Sequence, residues 1–140
     1  MYMRDISVIE RKLRTYAEHA GKDARLGFPE QVVVMYLASH GASKQEAIAQ
    51  YLGIDKGSIA KTIAKLEAKD LLVRTVNPES KREKLCSLSP SGQALIEKMQ
   101  SSFAEIHAAL FAGMSKEETE QACSYIARIA ANISAAQIGG

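Results

Sequence analysis

The stretch IDKGSIAKTIAKLEAKDLLVRTVNPESKREKLCSL, residues 54–88, decides the fold. Its first half predicts a short helix, because Ile59, Ile63 and Leu66 recur at i, i+4 and i+7 and so share one face. Asp55 stands where a side-chain oxygen can cap the first N–H groups of that helix. The opposite face is small and cationic, a combination that lets a helix approach a polyanion closely. It carries Gly57, Lys61, Ala64 and Ala68, with Ser58 and Lys65 beside them.

The second half of the stretch changes to a period of two and predicts a β-hairpin. Residues 72–76 and 84–88 form the expected strands, and the polar residues 77–82 form the expected turn. Basic side chains lie on or next to this turn: Lys81, Arg82 and Lys84. A basic hairpin that follows a basic helix would contact the same polyanion, so we predict a winged helix that binds duplex DNA.

A further helix precedes this stretch. Ser43 and Glu46 have the spacing of a capping box, in which the two side chains satisfy each other's end of the helix. Gly53 ends that helix two residues before Asp55. Two short helices joined by so tight a turn predict a helix-turn-helix, with the second helix as the recognition helix.

These residues resemble the MarR family of winged-helix transcription regulators. The matching segments are residues 46–54, 55–59, 65–74 and 88–92, the last standing where the family carries Leu-Thr-x-x-Gly. The resemblance is dense from residue 30 to residue 92 and architectural outside it. It implies a mainly α fold with a small β-wing in one unit, residues 1–140. Residues 28–88 would form the winged helix-turn-helix lobe, and residues 1–27 and 89–140 the helical dimerisation lobe.

The function implied is that of a homodimeric regulator, most often a repressor, on a pseudo-palindromic promoter site. The expected DNA-binding residues are Lys56, Gly57, Ser58, Lys61, Lys65, Lys81, Arg82 and Lys84. Resemblance places Arg82 in the minor groove. It also implies a pocket between the lobes for a small phenolic or aromatic effector, whose binding would release the DNA. The candidates for that pocket are Tyr16, His19, Arg25, Phe28 and Tyr36, and a packed core is the alternative interpretation of them.

The chain departs from the family at four positions. The family's Asp-Arg-Arg in the wing is Ser80-Lys81-Arg82 here, and Asn77 stands where relatives have a second aspartate. Ala60 stands where relatives commonly carry serine or threonine, and alanine cannot donate a hydrogen bond to a base edge. Direct base contact is therefore expected from Ser58, Lys61 and Lys65.

The terminal segments predict long amphipathic helices. Residues 5–26 carry the stripe Ile6, Ile9, Leu13, Tyr16 and Ala20. A second helix starts at residues 28–30, ends at His40 and is apolar almost all round.

After the wing, a helix is expected from Pro90 to Gly113, and a last helix begins with the capping box of Ser115 and Glu118. The stripe of that last helix is Ala122, Ile126, Ile129 and Ile133. The terminal stripes predict a twofold dimer that sets two recognition helices roughly 34–36 Å apart.

Charge is concentrated where DNA binding is predicted. The 140 residues carry a net charge of +2, yet residues 55–88 hold eight Lys/Arg against five Asp/Glu. Residues 89–140 hold three against five. The sign of the local charge, rather than the net charge of the whole chain, determines where a phosphate backbone is attracted. Two distant cysteines, no signal peptide and no membrane span together predict a cytoplasmic protein.

Other functional classes find little support. The three histidines lack the spacing of a metal site, and no cofactor is expected. Buried packing is the favoured interpretation of Cys86 and Cys123, with redox sensing as the alternative. No nucleophile–base set, phosphate loop or paired carboxylates indicates an enzyme. Two alternatives stay open: a winged helix used for protein–protein contact, and the dimerisation part of an enzyme such as a methyltransferase, which would need a catalytic domain that this chain does not contain.

Overall fold

The computed structural model describes residues 1–139, and for Lys81 it describes the backbone only. Within these residues the chain forms seven helices and three strands. The helices are α1 (Tyr2–Ala20), α2 (Phe28–His40), α3 (Gln45–Leu52), α4 (Lys56–Ala68), α5 (Pro90–Lys98), α6 (Gln100–Leu110) and α7 (Lys116–Ala135). The strands are β1 (Ser43–Lys44), β2 (Leu72–Asn77) and β3 (Ser80–Leu88). The predicted mainly α architecture with a small β-wing is confirmed.

The chain divides into two compact units, residues 1–106 and the residues from 107 onward. The first unit contains α1 to α5, the three strands and most of α6. The second contains the end of α6 and all of α7. The predicted division into a DNA-binding lobe and a dimerisation lobe stays a prediction.

The core of the first unit forms where α2 and α4 pack with the sheet. Ile59, Ile63 and Leu66 of α4 are fully buried, as their spacing predicts. Val33 and Val34 of α2 lie in the same cluster and are fully buried too. The apolar face of the predicted recognition helix is therefore fixed by the chain's own core, and its other face is left for a partner.

The sheet is antiparallel, with the strand order β1-β3-β2. Cys86 of the central strand pairs with Ser43 on one side and Arg74 on the other. The turn between β2 and β3 consists of Pro78 and Glu79 alone, so the predicted turn over residues 77–82 is wrong. Lys81 and Arg82 belong to β3. The turn is short because the Asn77 side chain closes it: its Oδ1 accepts a hydrogen bond from the Glu79 amide at 3.0 Å.

The predicted capping box before α3 is also wrong. Ser43 and Lys44 form β1, and Lys44 is the residue that precedes the helix, without a side-chain cap. The Ser43 hydroxyl donates to the Gly41 carbonyl at 3.0 Å instead. Pairing with Leu85 and Cys86, some forty residues away, overrides the local capping signal. The capping box of Ser115 and Glu118 at the start of α7 is confirmed.

The first helix is shorter than predicted, because it ends at Ala20 rather than near Leu26. Gly21 lies so close to the chain that follows it that an added Cβ would sit 2.3 Å from the Leu26 carbonyl oxygen. The Leu26 amide donates to the Gly21 carbonyl at 2.9 Å, which closes the turn. The close approach requires glycine and makes Gly21 the point where the chain reverses.

The helix after the wing is interrupted where a continuous one was predicted. It breaks at the buried Met99 into α5 and α6, and α6 ends at Leu110 rather than at Gly113. Hydrogen bonds continue through the break, since the Phe103 amide donates to the Met99 carbonyl at 3.1 Å.

Candidate nucleic-acid interface

The predicted recognition helix α4 starts at the aspartate that the sequence singled out. Asp55 Oδ1 accepts a hydrogen bond from the Ser58 amide at 2.8 Å, which is the N-cap contact. The Ser58 hydroxyl donates to Asp55 Oδ2, also at 2.8 Å. The backbone hydrogen bond and then the hydroxyl hydrogen bond from Ser58 lower the pKa of Asp55 from its ordinary value of 3.8. The carboxylate is therefore ionised near neutral pH and fixes the first turn.

This contact changes what Ser58 can do for DNA. Its hydroxyl proton is used by Asp55, so a donor contact to a base edge would break half of the cap. The hydroxyl oxygen can still accept a hydrogen bond from a base amino group. Direct base contact by Ser58 stays a prediction, and the geometry limits it to an acceptor role.

Lys61 and Lys65 make the outward side of α4 cationic, and Lys56 adds a third positive charge in its first turn. Lys56, Lys61 and Lys65 are all exposed, and among the described residues no carboxylate forms an ion pair with any of them. Gly57 and Ala64 are exposed on the same helix and have too little bulk to keep a partner at a distance. The result is a helix face that a phosphate backbone can approach closely.

Two further cations lie on the wing. Arg82 and Lys84 are exposed on β3. The Lys81 side chain lies outside what the structure describes. The wing therefore presents a guanidinium and an ammonium on its second strand, whereas the sequence predicted Arg82 in the turn.

Two ion pairs join the strands of the wing to neighbouring elements. Lys44 Nζ of β1 lies 2.7 Å from Glu83 Oε2 of β3. The hydrogen bond with Glu83, followed by its charge, raises the pKa of Lys44 above its ordinary value. A second pair, Arg74 with Glu67 at 3.3 Å, joins β2 to α4. These contacts tie the hairpin to the helix-turn-helix on both of its strands.

The five residues predicted for an effector pocket lie at different places along α1, α2 and their connection. Tyr16 and His19 are exposed on α1, and Arg25 is exposed in the connection. Phe28 starts α2 with the Arg14 guanidinium 5.0 Å from its ring centre. Tyr36 lies two turns further along and stacks on His40 at 4.2 Å, near Tyr51. An effector site at these residues stays a prediction.

The two cysteines differ in burial. Cys86 is buried, and that burial raises the pKa of its thiol, which disfavours the reactive thiolate. Cys123 is exposed on α7. In the part of the chain that the structure describes, no group of three or more His, Cys, Asp or Glu side chains could hold a metal ion. None of the described helices is long and apolar enough to cross a membrane.

Several polar residues next to the interface could not be found from the sequence. Lys44 and Glu83 are 39 residues apart and meet only because β1 pairs with β3. Glu30 and Lys69 form a partly buried pair across the same separation. No local pattern links such residues, and charged residues in these segments are otherwise ordinary surface features.

Helix α3, the capped helix α4 and the β2–β3 hairpin together define a winged helix-turn-helix protein. Residues 29–84 match the family model described as MarR family. This match confirms, over these residues, the resemblance to the MarR family that the sequence shows.

The fold is also similar to that of solved structures over nearly all of the chain. One is the transcriptional regulator SlyA, at 21% identity and a TM-score of 0.84, covering 95% of this chain and 94% of that one. Another is MepR of S. aureus, solved in a complex with DNA, at 24% identity and a TM-score of 0.82, covering 94% and 98%. A third is a putative MarR family regulator from Listeria monocytogenes complexed with a 26mer DNA, at 23% identity and a TM-score of 0.86, covering 94% and 88%.

Proposed function

We propose that this chain is a DNA-binding transcription regulator. One observation carries the proposal: a recognition helix with a small outer face and three exposed lysines, which form no ion pair with a described carboxylate, is followed by a wing with Arg82 and Lys84. Two of the similar structures are complexes with DNA, which supports the same use of the fold. Phosphate contacts from the lysines would supply affinity, and the small face of α4 would supply sequence preference.

The active form in this proposal is a homodimer. Helix α1 leaves Tyr2, Ile6 and Ile9 at least half exposed, and α7 leaves Ile126, Ile129 and Ile133 more than half exposed. Contiguous apolar faces of this kind mark interaction surfaces. A twofold axis would present two copies of α4 to successive major grooves, which accounts for a pseudo-palindromic site.

The proposal also includes repression of transcription at the bound promoter and release of the DNA by an effector. A dimer bound over a promoter would block transcription there. A small aromatic effector near Tyr16, His19, Arg25, Phe28 and Tyr36 would change the spacing of the two recognition helices and release the DNA. Both steps are drawn from the resemblance to the MarR family rather than from a contact in this chain.

Fluorescence anisotropy with labelled duplexes tests the DNA-binding part. DNA from upstream of the protein's own gene is titrated at several salt concentrations against a scrambled duplex of equal length. We expect tighter binding to the upstream DNA, with log affinity falling by about 0.9 per neutralised phosphate for each unit of log salt. Lys65→Met should reduce that slope by about one phosphate. Lys116→Met on α7 is the matched control, since it removes the same charge at a residue outside the proposed DNA-contact set.

A contrary result would favour the other use of a winged helix. Equal, weak binding to both duplexes, with Lys65→Met and Lys116→Met behaving alike, would contradict the proposal. A partner protein bound with a flat salt dependence would then support a protein–protein interaction module. Candidate phenolic compounds added to the protein–DNA complex test the effector step separately.

A further inference from the structure

The three residues that follow the recognition helix are bonded to two other parts of the first unit. We name Lys69, Asp70 and Leu71 the Lys69 turn. Asp70 has a φ of +58°, a conformation that is uncommon outside glycine. The Leu71 amide donates to the Leu66 carbonyl at 3.0 Å, so the turn is a direct continuation of α4. Any force on this turn therefore acts on the recognition helix.

One side of the turn is bonded to the connection between α1 and α2. The Lys69 ammonium donates to the Arg25 carbonyl and to Glu30 Oε2, each at 2.6 Å. These partners are 44 and 39 residues away in the sequence. The Glu30 carboxylate is 11% exposed, so the pair is partly shielded from water, unlike the ion pairs on the outer surface of the unit. Arg25 has a φ of +54°, so its carbonyl is offered by an unusual backbone conformation.

The connection is itself fastened to α1. The buried Gln31 side chain donates through Nε2 to the carbonyls of Ala17 and Leu26. Ala17 belongs to the last turns of α1, and Leu26 precedes α2. The chain of contacts thus runs from α1 through the connection to Lys69 and the end of α4.

The other side of the turn is bonded to the start of α5. The Ser89 hydroxyl donates to the Asp70 carbonyl at 2.5 Å, and the Ser89 amide donates to the Leu71 carbonyl at 3.1 Å. A Cβ on Gly92 would lie 2.2 Å from the Leu71 carbonyl oxygen. Only glycine fits at this position, so α5 packs directly on the turn.

We propose that Lys69 is a positioning residue for DNA recognition, which fixes the recognition helix relative to α1 through the α1–α2 connection without contacting DNA. The inference rests on the proposed function and deepens it. A displacement of α1 would pull on the Lys69 ammonium and tilt the end of α4. The pair of Lys69 with Glu30 is the polar contact through which the terminal part of the chain controls the DNA-binding face.

Lys69→Met tests this role, because methionine keeps the length of the stem and removes the ammonium. We expect affinity for the specific duplex to fall by about 2- to 30-fold while affinity for scrambled DNA stays nearly constant. The slope against log salt should not change, since no phosphate contact is lost. Lys69→Arg should retain the specific affinity, because a guanidinium can still donate to both acceptors. Lys65→Met is the contrasting control, with a smaller salt slope.

Hydrogen exchange gives a readout that does not depend on DNA. The amides of Arg25 and Leu26 are bonded within the connection, to the carbonyls of Lys22 and Gly21. We expect both amides to exchange faster in Lys69→Met, together with the Ser89 amide on the far side of the turn. Lys65→Met should leave all three unchanged. If Lys69→Met folds poorly, the double variant Glu30→Gln with Lys69→Met removes the unpaired carboxylate and keeps the measurement possible.

The outcomes separate this inference from the proposed function. A salt slope reduced as in Lys65→Met would make Lys69 a phosphate contact and overturn the inference. Faster exchange with an unchanged ratio of specific to non-specific affinity would overturn it too, because Lys69 would then be structural only. If the wild-type chain shows no DNA preference, the proposed function fails. The structural coupling through Lys69 is then still supported if the Arg25, Leu26 and Ser89 amides exchange faster in Lys69→Met. It is overturned if only amides next to residue 69 exchange faster.

Discussion

Helices α4 and α7 carry similar apolar stripes, but the stripe of α4 is buried and that of α7 is exposed to solvent. Both place isoleucine or leucine at the spacing of one helix face. On α4 the stripe is fully buried: Ile59, Ile63 and Leu66. On α7 it is 56%, 58% and 67% exposed, for Ile126, Ile129 and Ile133 respectively. The same pattern therefore identifies a face in each helix, and it does not say what covers that face.

This difference in burial distinguishes a stripe that stabilises the fold from one that is available for association with a partner. The α4 stripe finds its partners within the first unit, in α2 and the sheet, so it belongs to the stability of the winged helix itself. The α7 stripe leaves large apolar side chains in contact with water, at a cost of about 25 cal/mol for each Å² of apolar surface. We infer that a second copy of the chain covers it.

The largest expected effect is the loss of stability from a change on the buried stripe. Ile63→Ala should lower the free energy of unfolding by about 2–5 kcal/mol, since it removes apolar contacts and leaves a cavity among close-packed side chains. Ile129→Ala makes the same chemical change on the exposed stripe and should alter intramolecular stability by no more than about 0.5 kcal/mol. Urea unfolding measured down to protein concentrations at which only monomers remain compares the two. Equal effects of the two variants would show that the α7 stripe is part of the fold.

A charge on the exposed stripe should act on assembly instead. Ile129→Glu is expected to raise the dissociation constant of the dimer by at least about 30-fold, the effect of losing one central apolar contact. Ala127→Glu places the same charge on the opposite side of α7 and should leave the dimer intact, because residue 127 lies about 160° from residue 129 around the helix. Sedimentation velocity over a range of concentrations measures both. A wild-type chain that is monomeric at all concentrations would remove the dimer from the proposal.

A smaller effect, on DNA affinity, is expected from weakening the polar contact between Lys44 and Glu83 that holds the wing. Glu83→Gln weakens the contact with Lys44 and so loosens the wing. It also removes a negative charge near the DNA, so electrostatics alone would make binding tighter. If the contact positions the wing, affinity for the specific duplex should fall, by less than about fivefold because the pair is exposed. Anisotropy at fixed salt decides between the two signs, with Glu79→Gln at the tip of the turn as the control for charge removal.

The sequence predicted those elements whose signals are local. Pro29 and Gly41 bound α2, and Asp55 starts α4 with the cap that its position suggested. The stripe of α4 was found because its period is that of the helix itself. Each of these features depends on residues within two turns of one another, so the sequence contains all that is needed to identify them.

The features that were missed depend on tertiary contacts, many of them between residues far apart in the chain. The pairing of β1 with β3 converts a capping box into a strand, and the close approach of Gly21 to Leu26 ends α1 early. In the interface, the cations of α4 and the wing were predicted by type and position. The hydrogen bond from the Ser58 hydroxyl to Asp55 was not foreseen, and base contact by Ser58 stays a prediction. The contacts of Lys69 with Arg25 and Glu30 were not foreseen, because nothing local connects residues some forty positions apart.

The smallest effect compares how the two helices begin, and it depends on pH. Hydrogen bonds from Ser58 lower the pKa of Asp55 below 3.8, and hydrogen bonds from Ser115 lower the pKa of Glu118 below 4.5. A carboxyl with a lowered pKa in the folded state contributes stability that is present above its ordinary value. That contribution is lost as the pH falls through the lower value. Both helices should therefore lose helicity at acid pH.

Two substitutions, Asp55→Asn and Glu118→Gln, separate the contributions of the two caps. Asparagine caps a helix about as well as aspartate and does not titrate. Asp55→Asn should flatten the acid dependence of the first unit, and Glu118→Gln that of the second. Circular dichroism against pH measures the helix content, and amide exchange assigns the change to α4 or α7. An acid transition that is unchanged in both variants would mean that other carboxylates control it, and that the caps set where each helix starts without making its stability depend on pH.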